Sequence, residues 1–307
     1  MKRSVQLIGL MAFVWILLFP ALNSNAQPLR FESYSTEQGL TRNIGYDIAQ
    51  TPEGFMWFAT PNGLNRFDGY QIKPYKKTAG KPHSLCANTV SALLTDDRGN
   101  LWVGTPQGIC IYQPTSDRFY KPSELYKLPR KADSLAAIRF LKDRDETIWI
   151  LTTTEGLYGC PKNKKTIRQY ITDQDLGEPL RSTALNEEGQ ICVSSMNDIH
   201  VFNGQRFTPL GIRAWIKNES PPLYIREFAF THGELWVCST FKGIFRFRTG
   251  TRLTLIEHIT TKTSPWKLTH NTIECILKDR KNNLWIGSIN DGLFYYDFST
   301  QQVSSSQ

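Results

Sequence analysis

Aromatic, amide and acidic side chains in turns and loops are the residues of this 307-residue chain best suited to bind a ligand. Trp215, Trp266 and His270 lie in long loops, where aromatic planes can stack on a sugar ring. Short turns add polar side chains that can orient sugar hydroxyl groups, namely Asn62, Gln107, Glu155, Asn197, Lys242, Asn290 and Asp291. This combination predicts an oligosaccharide ligand.

Catalytic chemistry has no matching motif in the sequence. There is no HExxH, no GxSxG, no glycine-rich phosphate loop with a lysine and no EF-hand spacing. The cysteines form no CxxC pair, which argues against zinc. We therefore predict no catalytic residue, no metal site and no cofactor, and this chain alone cannot be a kinase.

One enzyme alternative rests on residues 95–102, TDDRGNLW, which resemble the Asp-box of six-bladed sialidases. That box shapes a hairpin turn and is structural even in the enzymes, and here Leu101 replaces its usual hydroxyl residue. Glycosidic cleavage needs a placed carboxylate pair, or a tyrosine nucleophile with an acid. The sequence places no such set together, so a sialidase-like or lyase-like propeller enzyme is the weaker alternative.

The elements that must position these side chains form an internal repeat. Anchor residues recur every 43 to 49 residues, at Trp57, Trp102, Trp149, Cys192, Trp236 and Trp285. A period of this length, with about four short strands in each unit, is typical of a β-propeller blade. We predict an all-β propeller with six recognisable four-stranded blades, either a six-bladed ring or an incomplete seven-bladed one.

Within each repeat the anchor and the turns have separate structural roles. The tryptophan is expected to wedge between neighbouring blades, since a buried indole contributes about 150 to 250 Å² of surface. Turn glycines follow five of the anchors, at Gly63, Gly108, Gly156, Gly243 and Gly292. Asparagines precede three inner strands, and we expect them to hold turns by accepting backbone hydrogen bonds, at Asn43, Asn88 and Asn271.

The repeat sets the predicted domain organisation. Residues 1–26 have the basic start, apolar run and small-residue end of a signal peptide. Residues 27–36 contain an alternating strand, which we expect to close the last blade as its outer strand. The blades are predicted at about 37–80, 81–125, 126–172, 173–212, 213–260 and 261–298. Residues 299–307 are predicted to be a polar tail at a truncation point.

The cysteine pattern bears on disulfide bonds, and the net charge bears on nucleic-acid binding. Five of the six cysteines lie on predicted blade strands and only Cys86 lies in a loop, so we expect buried single thiols, with one inter-blade disulfide as the alternative. Removing Lys2 and Arg3 with the signal peptide lowers the net charge from +8 to +6. This mild excess, without a basic helix, does not predict nucleic-acid binding.

Three sequence blocks carry a family resemblance: PEGFMWFATPNGLNRFDGYQIKPY, DDRGNLWVGTPQGICIY and LKDRKNNLWIGSINDGLFYYD. They resemble the two-component regulator propeller repeats in the N-terminal periplasmic region of Bacteroidetes hybrid sensor histidine kinases. The resemblance covers about residues 31–298 and is weakest in the fourth repeat.

The resemblance implies a periplasmic sensor that binds a glycan fragment and signals to a histidine kinase. Such sensors are anchored in the inner membrane and switch between states of a dimer. This chain has six repeats where the family has about seven blades in each propeller, and its sequence stops at Gln307. We therefore predict a truncated or partial sensor, with a stand-alone secreted binding or scaffold propeller as the alternative.

Overall fold

A computed structural model describes residues 31–163, 165–216 and 222–306 of the chain. The chain divides into two compact units, Met1–Ser33 and Tyr34–Gln307. The predicted signal peptide and residues 27–30 of the predicted closing strand lie outside the described residues. Within the first unit, residues 31–33 are described and form neither helix nor strand. The strands given below all belong to the second unit.

Within the described residues, 24 strands form six antiparallel sheets of four strands each. Blade one contains β1 (Asp47–Gln50), β2 (Met56–Thr60), β3 (Gly63–Phe67) and β4 (Ile72–Tyr75). Blade two contains β5 (Ala92–Thr95), β6 (Leu101–Thr105), β7 (Gly108–Gln113) and β8 (Arg118–Tyr120). Blade three contains β9 (Ala137–Lys142), β10 (Ile148–Thr152), β11 (Leu157–Cys160) and β12 (Arg168–Ile171).

The second half of the unit repeats this arrangement. Blade four contains β13 (Ser182–Leu185), β14 (Ile191–Ser194), β15 (Ile199–Phe202) and β16 (Phe207–Pro209). Blade five contains β17 (Ile225–Thr231), β18 (Glu234–Ser239), β19 (Ile244–Arg248) and β20 (Thr254–Ile259). Blade six contains β21 (Ile273–Lys278), β22 (Leu284–Ser288), β23 (Leu293–Asp297) and β24 (Gln302–Ser305). The connections hold α1 (Pro122–Leu125), α2 (Asp173–Leu176) and 3-10 turns at Thr36–Gln38, Arg130–Ser134 and Ile212–Trp215.

The strands of every blade follow one another in chain order across the sheet, so each blade is a simple meander. The first strand of each blade packs against the first strand of the next, from β1 and β5 through to β17 and β21. These inner strands therefore surround a common axis, as in a β-propeller. The predicted all-β, six-bladed propeller is confirmed.

The tryptophan on the second strand joins neighbouring blades. Trp57, Trp102, Trp149 and Trp236 are at most 6% exposed. Trp57 of blade one lies 4.7 Å from the ring of Tyr112 in blade two, and Trp236 of blade five lies 4.9 Å from Tyr296 in blade six. These indoles are wedged between sheets, as the repeat predicted.

An acidic turn before the second strand holds the indole in place. In blade two, Asp96 accepts hydrogen bonds from the backbone N–H groups of Arg98 and Asn100 with one oxygen, at 2.9 and 3.0 Å. Its other oxygen accepts the Nε1–H of Trp102 at 3.0 Å. Asp143 holds Trp149 in the same way, at 2.8 Å. The side chain that closes the turn therefore also satisfies the buried indole N–H.

The turn glycine after the second strand is required by a close approach of the backbone. Gly108 has φ of 125°, and a Cβ there would lie 2.0 Å from the carbonyl oxygen of Asp133. At Gly156, with φ of 87°, a Cβ would lie 2.0 Å from the carbonyl oxygen of Ile171. Because both the conformation and the space exclude a side chain, these glycines are structural anchors.

The predicted outer strand of the last blade is wrong for the residues that the structure describes. Residues 31–35 form no strand, and the outer strand of blade six is β24 instead, paired with β23 from Phe294 to Asp297. The expected polar tail, residues 299–307, thus contains a strand at Gln302–Ser305. Alternating Val303 with small serines carries too little hydrophobic pattern to be recognised in the sequence.

The cysteine prediction is correct for three residues and wrong for the other three. Cys160, Cys192 and Cys238 are buried thiols, whereas Cys275 is exposed. Cys86 and Cys110 form a disulfide within blade two, with a Cα–Cα distance of 6.0 Å. Cys86 lies in the connection that leads into blade two, and Cys110 lies on the third strand of that blade. The two residues are close because of the way this connection folds, which the sequence does not reveal.

We expect Trp102→Ala to lower the free energy of unfolding by about 3–5 kcal/mol, because it removes a fully buried indole and leaves a cavity. Trp285→Ala is the matched control, since Trp285 has the same place in blade six but is only partly buried. It should cost less than half as much. Urea denaturation of both variants tests this, and equal losses would contradict the wedge.

Asp117 links blades one and two and should make their interface sensitive to acid. It accepts hydrogen bonds from Lys73, Tyr75 and Tyr112, each at 2.7 Å. Burial acts to raise the pKa of Asp117, but these donors outweigh it and lower the pKa from 3.8 to about 2. The carboxylate therefore stabilises the fold above pH 3.8, and this contribution is lost as the pH falls towards 2.

Asp117→Asn should reduce the free energy of unfolding at pH 7. Because the side chain is about half exposed, solvent screening keeps the difference modest, on the order of 1 kcal/mol. Urea titrations from pH 7 to pH 2 should show the difference from the wild type shrinking below about pH 4. A difference that stays constant to pH 2 would rule out this ionic contribution.

Candidate functional site

The predicted ligand residues lie on the face formed by the second-to-third-strand turns and the connections between blades, here called the loop face. Its turns comprise residues 61–62, 106–107, 153–156, 195–198, 240–243 and 289–292. Lys77, in the connection from blade one, donates a hydrogen bond to Gln107 in the turn of blade two at 3.2 Å. In blade five, the ring Nε2 of His258 donates to the carbonyl oxygen of Lys242 at 2.7 Å. Turns and connections thus meet on one face of the propeller.

A hydroxyl side chain at the end of the second strand closes most of these turns. Thr60, Thr105 and Thr152 donate to the carbonyl oxygens of Gly63, Gly108 and Gly156, at 2.8, 2.7 and 2.8 Å. In blades five and six, serines accept the backbone N–H groups of their turns, at Ser239 and Ser288. These hydroxyls were not predicted from the sequence, although a Thr or Ser recurs three or four residues before each turn glycine.

The three asparagines that precede inner strands have the predicted structural role. Asn43 accepts the backbone N–H of Thr36 at 2.7 Å, and Asn88 accepts that of Lys77 at 2.8 Å. Asn271 accepts the backbone N–H of Thr261 at 2.9 Å. Each side-chain carbonyl therefore ties a blade connection to the residue just before the inner strand.

Glu155 and Asn197 form hydrogen bonds or ion pairs with the connections between blades. The carboxylate of Glu155 pairs with Lys131 and accepts the hydroxyl of Tyr158 at 2.9 Å. The hydrogen bond from Lys131 lowers the pKa of Glu155. Asn197 donates to Glu178 at 3.1 Å and accepts the backbone N–H of Leu223 at 3.2 Å. These groups would have to exchange partners to bind a ligand.

Asp291 and Trp266 are structural in this fold. Asp291 is 2% exposed and accepts hydrogen bonds from Thr269 and Ser288. Burial acts to raise its pKa, yet these hydrogen bonds outweigh burial and lower it. Trp266 is 3% exposed and stacks on Tyr296 with a 9° angle between the rings. Neither side chain offers a surface to a ligand, so the structure contradicts both assignments.

The other predicted residues remain on the surface of the loop face. Asn290 and His270 are exposed, and Asn62 is partly exposed. The ring Nδ1 of His270 lies 2.8 Å from the hydroxyl of Thr269. The structure does not bring them into one cluster with Glu155 and Asn197, because Asn62, Glu155, Asn197 and Asn290 belong to four different blades.

Two partly exposed aromatic rings lie on the loop face at blade five. Trp215 is 45% exposed and Phe241 is 47% exposed. The ring of Tyr224 meets Phe241 edge-on, with 5.7 Å between centroids and an angle of 88°. Lys242 follows directly in the turn. Phe241 and Tyr224 were not among the residues predicted from the sequence. The other turns have Pro61, Pro106, Thr154, Met196 and Asn290 at the place of Phe241, so an aromatic residue there is particular to blade five.

A charged cluster lies at the inner strands around the axis. Asp47 on β1 accepts the backbone N–H of Leu93 on β5 at 2.8 Å. Glu227 on β17 accepts that of Ile276 on β21 at 2.9 Å and pairs with Arg139 on β9. Burial raises the pKa of Asp47 despite these hydrogen bonds and the nearby Arg139. None of these residues was among the site residues predicted from the sequence.

Three cavities lined by described residues open mainly among the turns of the opposite face. The largest, about 610 Å³, lies between the turns at residues 186–190 and 249–253. Two smaller ones, of about 360 and 260 Å³, lie at His232 with Lys281 and at Glu53 with Arg98. None of the three is lined by a predicted ligand residue.

The described residues contain neither a metal-binding cluster nor a membrane-spanning helix. No group of three or more His, Cys, Asp and Glu side chains there is arranged to hold a metal ion. In the same part of the chain, no helix has the length and apolar character needed to span a membrane.

Comparison of the fold with solved structures shows related propellers. The extracellular domain of a hybrid two component system from B. thetaiotaomicron aligns with a TM-score of 0.54 and 20% identity, covering 85% of this chain and 41% of that one. Virginiamycin B lyase from Staphylococcus aureus aligns with a TM-score of 0.59 and 14% identity, covering 85% of this chain and 83% of that one. At these identities the likeness supports the fold alone.

Comparison of the sequence identifies the repeat. Histidine kinase P4 from Formosa agariphila is 32% identical over 75 residues, which cover 24% of this chain and 5% of that protein. The matched part is thus a small fraction of the length of this relative. Residues 84–107 and 267–290 match the two component regulator propeller family. The chain is therefore a β-propeller that contains two-component regulator propeller repeats.

Proposed function

We propose that this chain is the ligand-sensing propeller of a hybrid two-component sensor. The observation that carries the proposal is the match of residues 84–107 and 267–290, in blades two and six, to repeats of two component regulators. The short alignment with a histidine kinase from Formosa agariphila supports the same role. In this proposal the propeller is exported to the periplasm, and ligand binding controls a histidine kinase that is not part of this 307-residue chain.

The ligand that we propose is a glycan fragment, bound on the loop face near blade five. Phe241, Tyr224 and Trp215 present aromatic surface to solvent, and Lys242 adds a cation beside it. Sugar rings carry apolar C–H faces and polar edges, so they suit an aromatic plane flanked by hydrogen-bonding groups. Because the turns are braced by the connections, this surface is held by a rigid scaffold.

Signalling requires that the glycan favour one state of the sensor over another. A ligand shifts an equilibrium only by its difference in affinity for the two states. The connections on the loop face already bridge neighbouring blades, so a bound glycan there can also contact other modules of a longer protein. A dimer that changes its arrangement on binding would complete the coupling.

We expect the purified propeller to bind one class of oligosaccharide in a calorimetric screen of plant and microbial glycan fragments. Phe241→Ala should then weaken binding about tenfold or more, because a central aromatic contact typically contributes about 2 kcal/mol. Trp215→Ala should act in the same direction. The melting temperature of both variants should stay close to that of the wild type, since both residues are about half exposed.

Tyr70→Ala is the matched control. Tyr70 is 97% exposed and lies in the third-to-fourth-strand turn of blade one, on the opposite face. This variant should bind the glycan with wild-type affinity. Equal affinity in all three variants would place the ligand elsewhere, and a screen without any bound glycan would refute the proposed ligand class.

A further inference from the structure

Blade four lacks the tryptophan that the other blades carry on their second strand. Its anchor position is occupied by Cys192, which is fully buried. A thiol is much smaller than an indole, and protein interiors are close-packed, so the junction of blades four and five must either close up or contain a cavity. A cavity of about 610 Å³ lies at this junction and opens to solvent.

The junction of blades five and six shows what occupies this space when a tryptophan is present. The ring of Trp236 lies 4.9 Å from that of Tyr296 and 6.0 Å from that of Phe298. Its Nε1–H donates to the carboxylate of Glu234 at 3.0 Å. The indole is therefore enclosed by the third strand of the next blade and by the turn that follows this strand, and its N–H has an acceptor in its own blade.

Corresponding positions enclose the cavity at the junction of blades four and five. By strand register, Phe247 and Thr249 of blade five correspond to the two aromatic neighbours of Trp236. Thr249 lines the cavity and has a smaller side chain than its aromatic counterpart. On the blade-four side the lining includes Val201, which pairs with Cys192 across the sheet. The cavity therefore lies at the position of the missing indole.

Blade four retains hydrogen-bond acceptors at the places where other blades hold the indole N–H. The acceptor stands six residues before the tryptophan in blades two and three, and two residues before it in blade five. The corresponding residues of blade four are Asn186 and Gln190, and both line the cavity. Asn186 accepts the backbone N–H of Gln190 at 2.7 Å and donates to its Oε1 at 2.9 Å. Each amide oxygen has a second lone pair, which can accept an N–H group from a ligand.

The rest of the lining combines apolar surface with an excess of acidic side chains. Glu187 and Glu188 provide two carboxylates, whereas Arg252 provides one guanidinium group. Glu187 accepts the backbone N–H of Gly233 at 2.9 Å, which holds its carboxylate in place. The apolar part of the lining includes Leu210, Phe230 and Leu253. Because carboxylates outnumber the guanidinium group, the cavity favours a ligand that joins an apolar ring to a positive charge.

We propose that this cavity binds a small aromatic amine, whose planar N–H ring takes the place of the missing indole. The ring N–H donates to the amide oxygen of Asn186 or Gln190, and the ammonium group lies near Glu187 and Glu188. A protein cavity of about 150 Å³ admits benzene, so one of about 610 Å³ has room for an indole ring with its substituent. The cavity opens on the face opposite the loop face, so this second ligand site is independent of the proposed glycan.

The test is a calorimetric titration of the purified full chain with tryptamine, an indole that carries an ammonium group. We expect saturable binding at one site per chain. Thr249→Phe should weaken this binding about tenfold or more, because the added phenyl ring takes up part of the cavity. Val201→Phe should act in the same direction from the blade-four side.

Thr115→Phe is the matched control, because Thr115 lies in the corresponding turn of blade two and lines a smaller cavity. This variant should bind tryptamine with wild-type affinity, and the melting temperature of each variant shows whether it is folded. A wild-type chain that does not bind tryptamine saturably would overturn the proposal. So would equal affinities in folded Thr249→Phe and Thr115→Phe variants.

The charge of the ligand provides a second measurement. Tryptamine should bind more tightly than indole-3-acetate, which carries a carboxylate on the same ring system. Glu187→Gln combined with Glu188→Gln should weaken tryptamine binding about threefold and leave the binding of uncharged indole unchanged, since only the ammonium group loses its partners. Tighter binding of indole-3-acetate than of tryptamine would overturn the assignment of an amine.

Discussion

An indole on the second strand of one sheet, buried against the next sheet, is the contact on which this propeller depends. Each blade is a four-stranded meander with two apolar faces, and a single such sheet cannot bury both. Trp57, Trp102, Trp149 and Trp236 fill the space between sheets that diverge from the axis. The N–H of Trp102 and of Trp149 is satisfied by the aspartate of the preceding turn, so the polar atom costs little to bury.

Internal hydrogen bonds also hold the turns and connections of the loop face. Thr60, Thr105 and Thr152 close their turns, and Asn43, Asn88 and Asn271 tie the connections to the inner strands. These hydrogen bonds use many of the polar groups that a ligand could otherwise recognise. Aromatic rings do not take part in these hydrogen bonds, and the rings of Phe241 and Trp215 remain about half exposed on this face, where we propose that the glycan binds.

Charges at the inner strands complete the connection between blades. Asp47 and Glu227 each accept a backbone N–H from the inner strand of the next blade, and Arg139 offsets Glu227 across the axis. Such a buried ion pair stabilises only when its remaining hydrogen-bond capacity is used. Asp47 therefore connects the inner strands of blades one and two, and Glu227 connects those of blades five and six.

The sequence by itself determined the blade number, the wedge and the asparagine turns, because these depend on a local pattern that repeats along the chain. It could not determine that Trp266 and Asp291 are buried, since burial depends on which loop folds over which strand. It also missed β24, the Cys86–Cys110 pair and the Phe241 surface. These features appear only in the tertiary structure, because each results from contacts between residues that no local pattern relates.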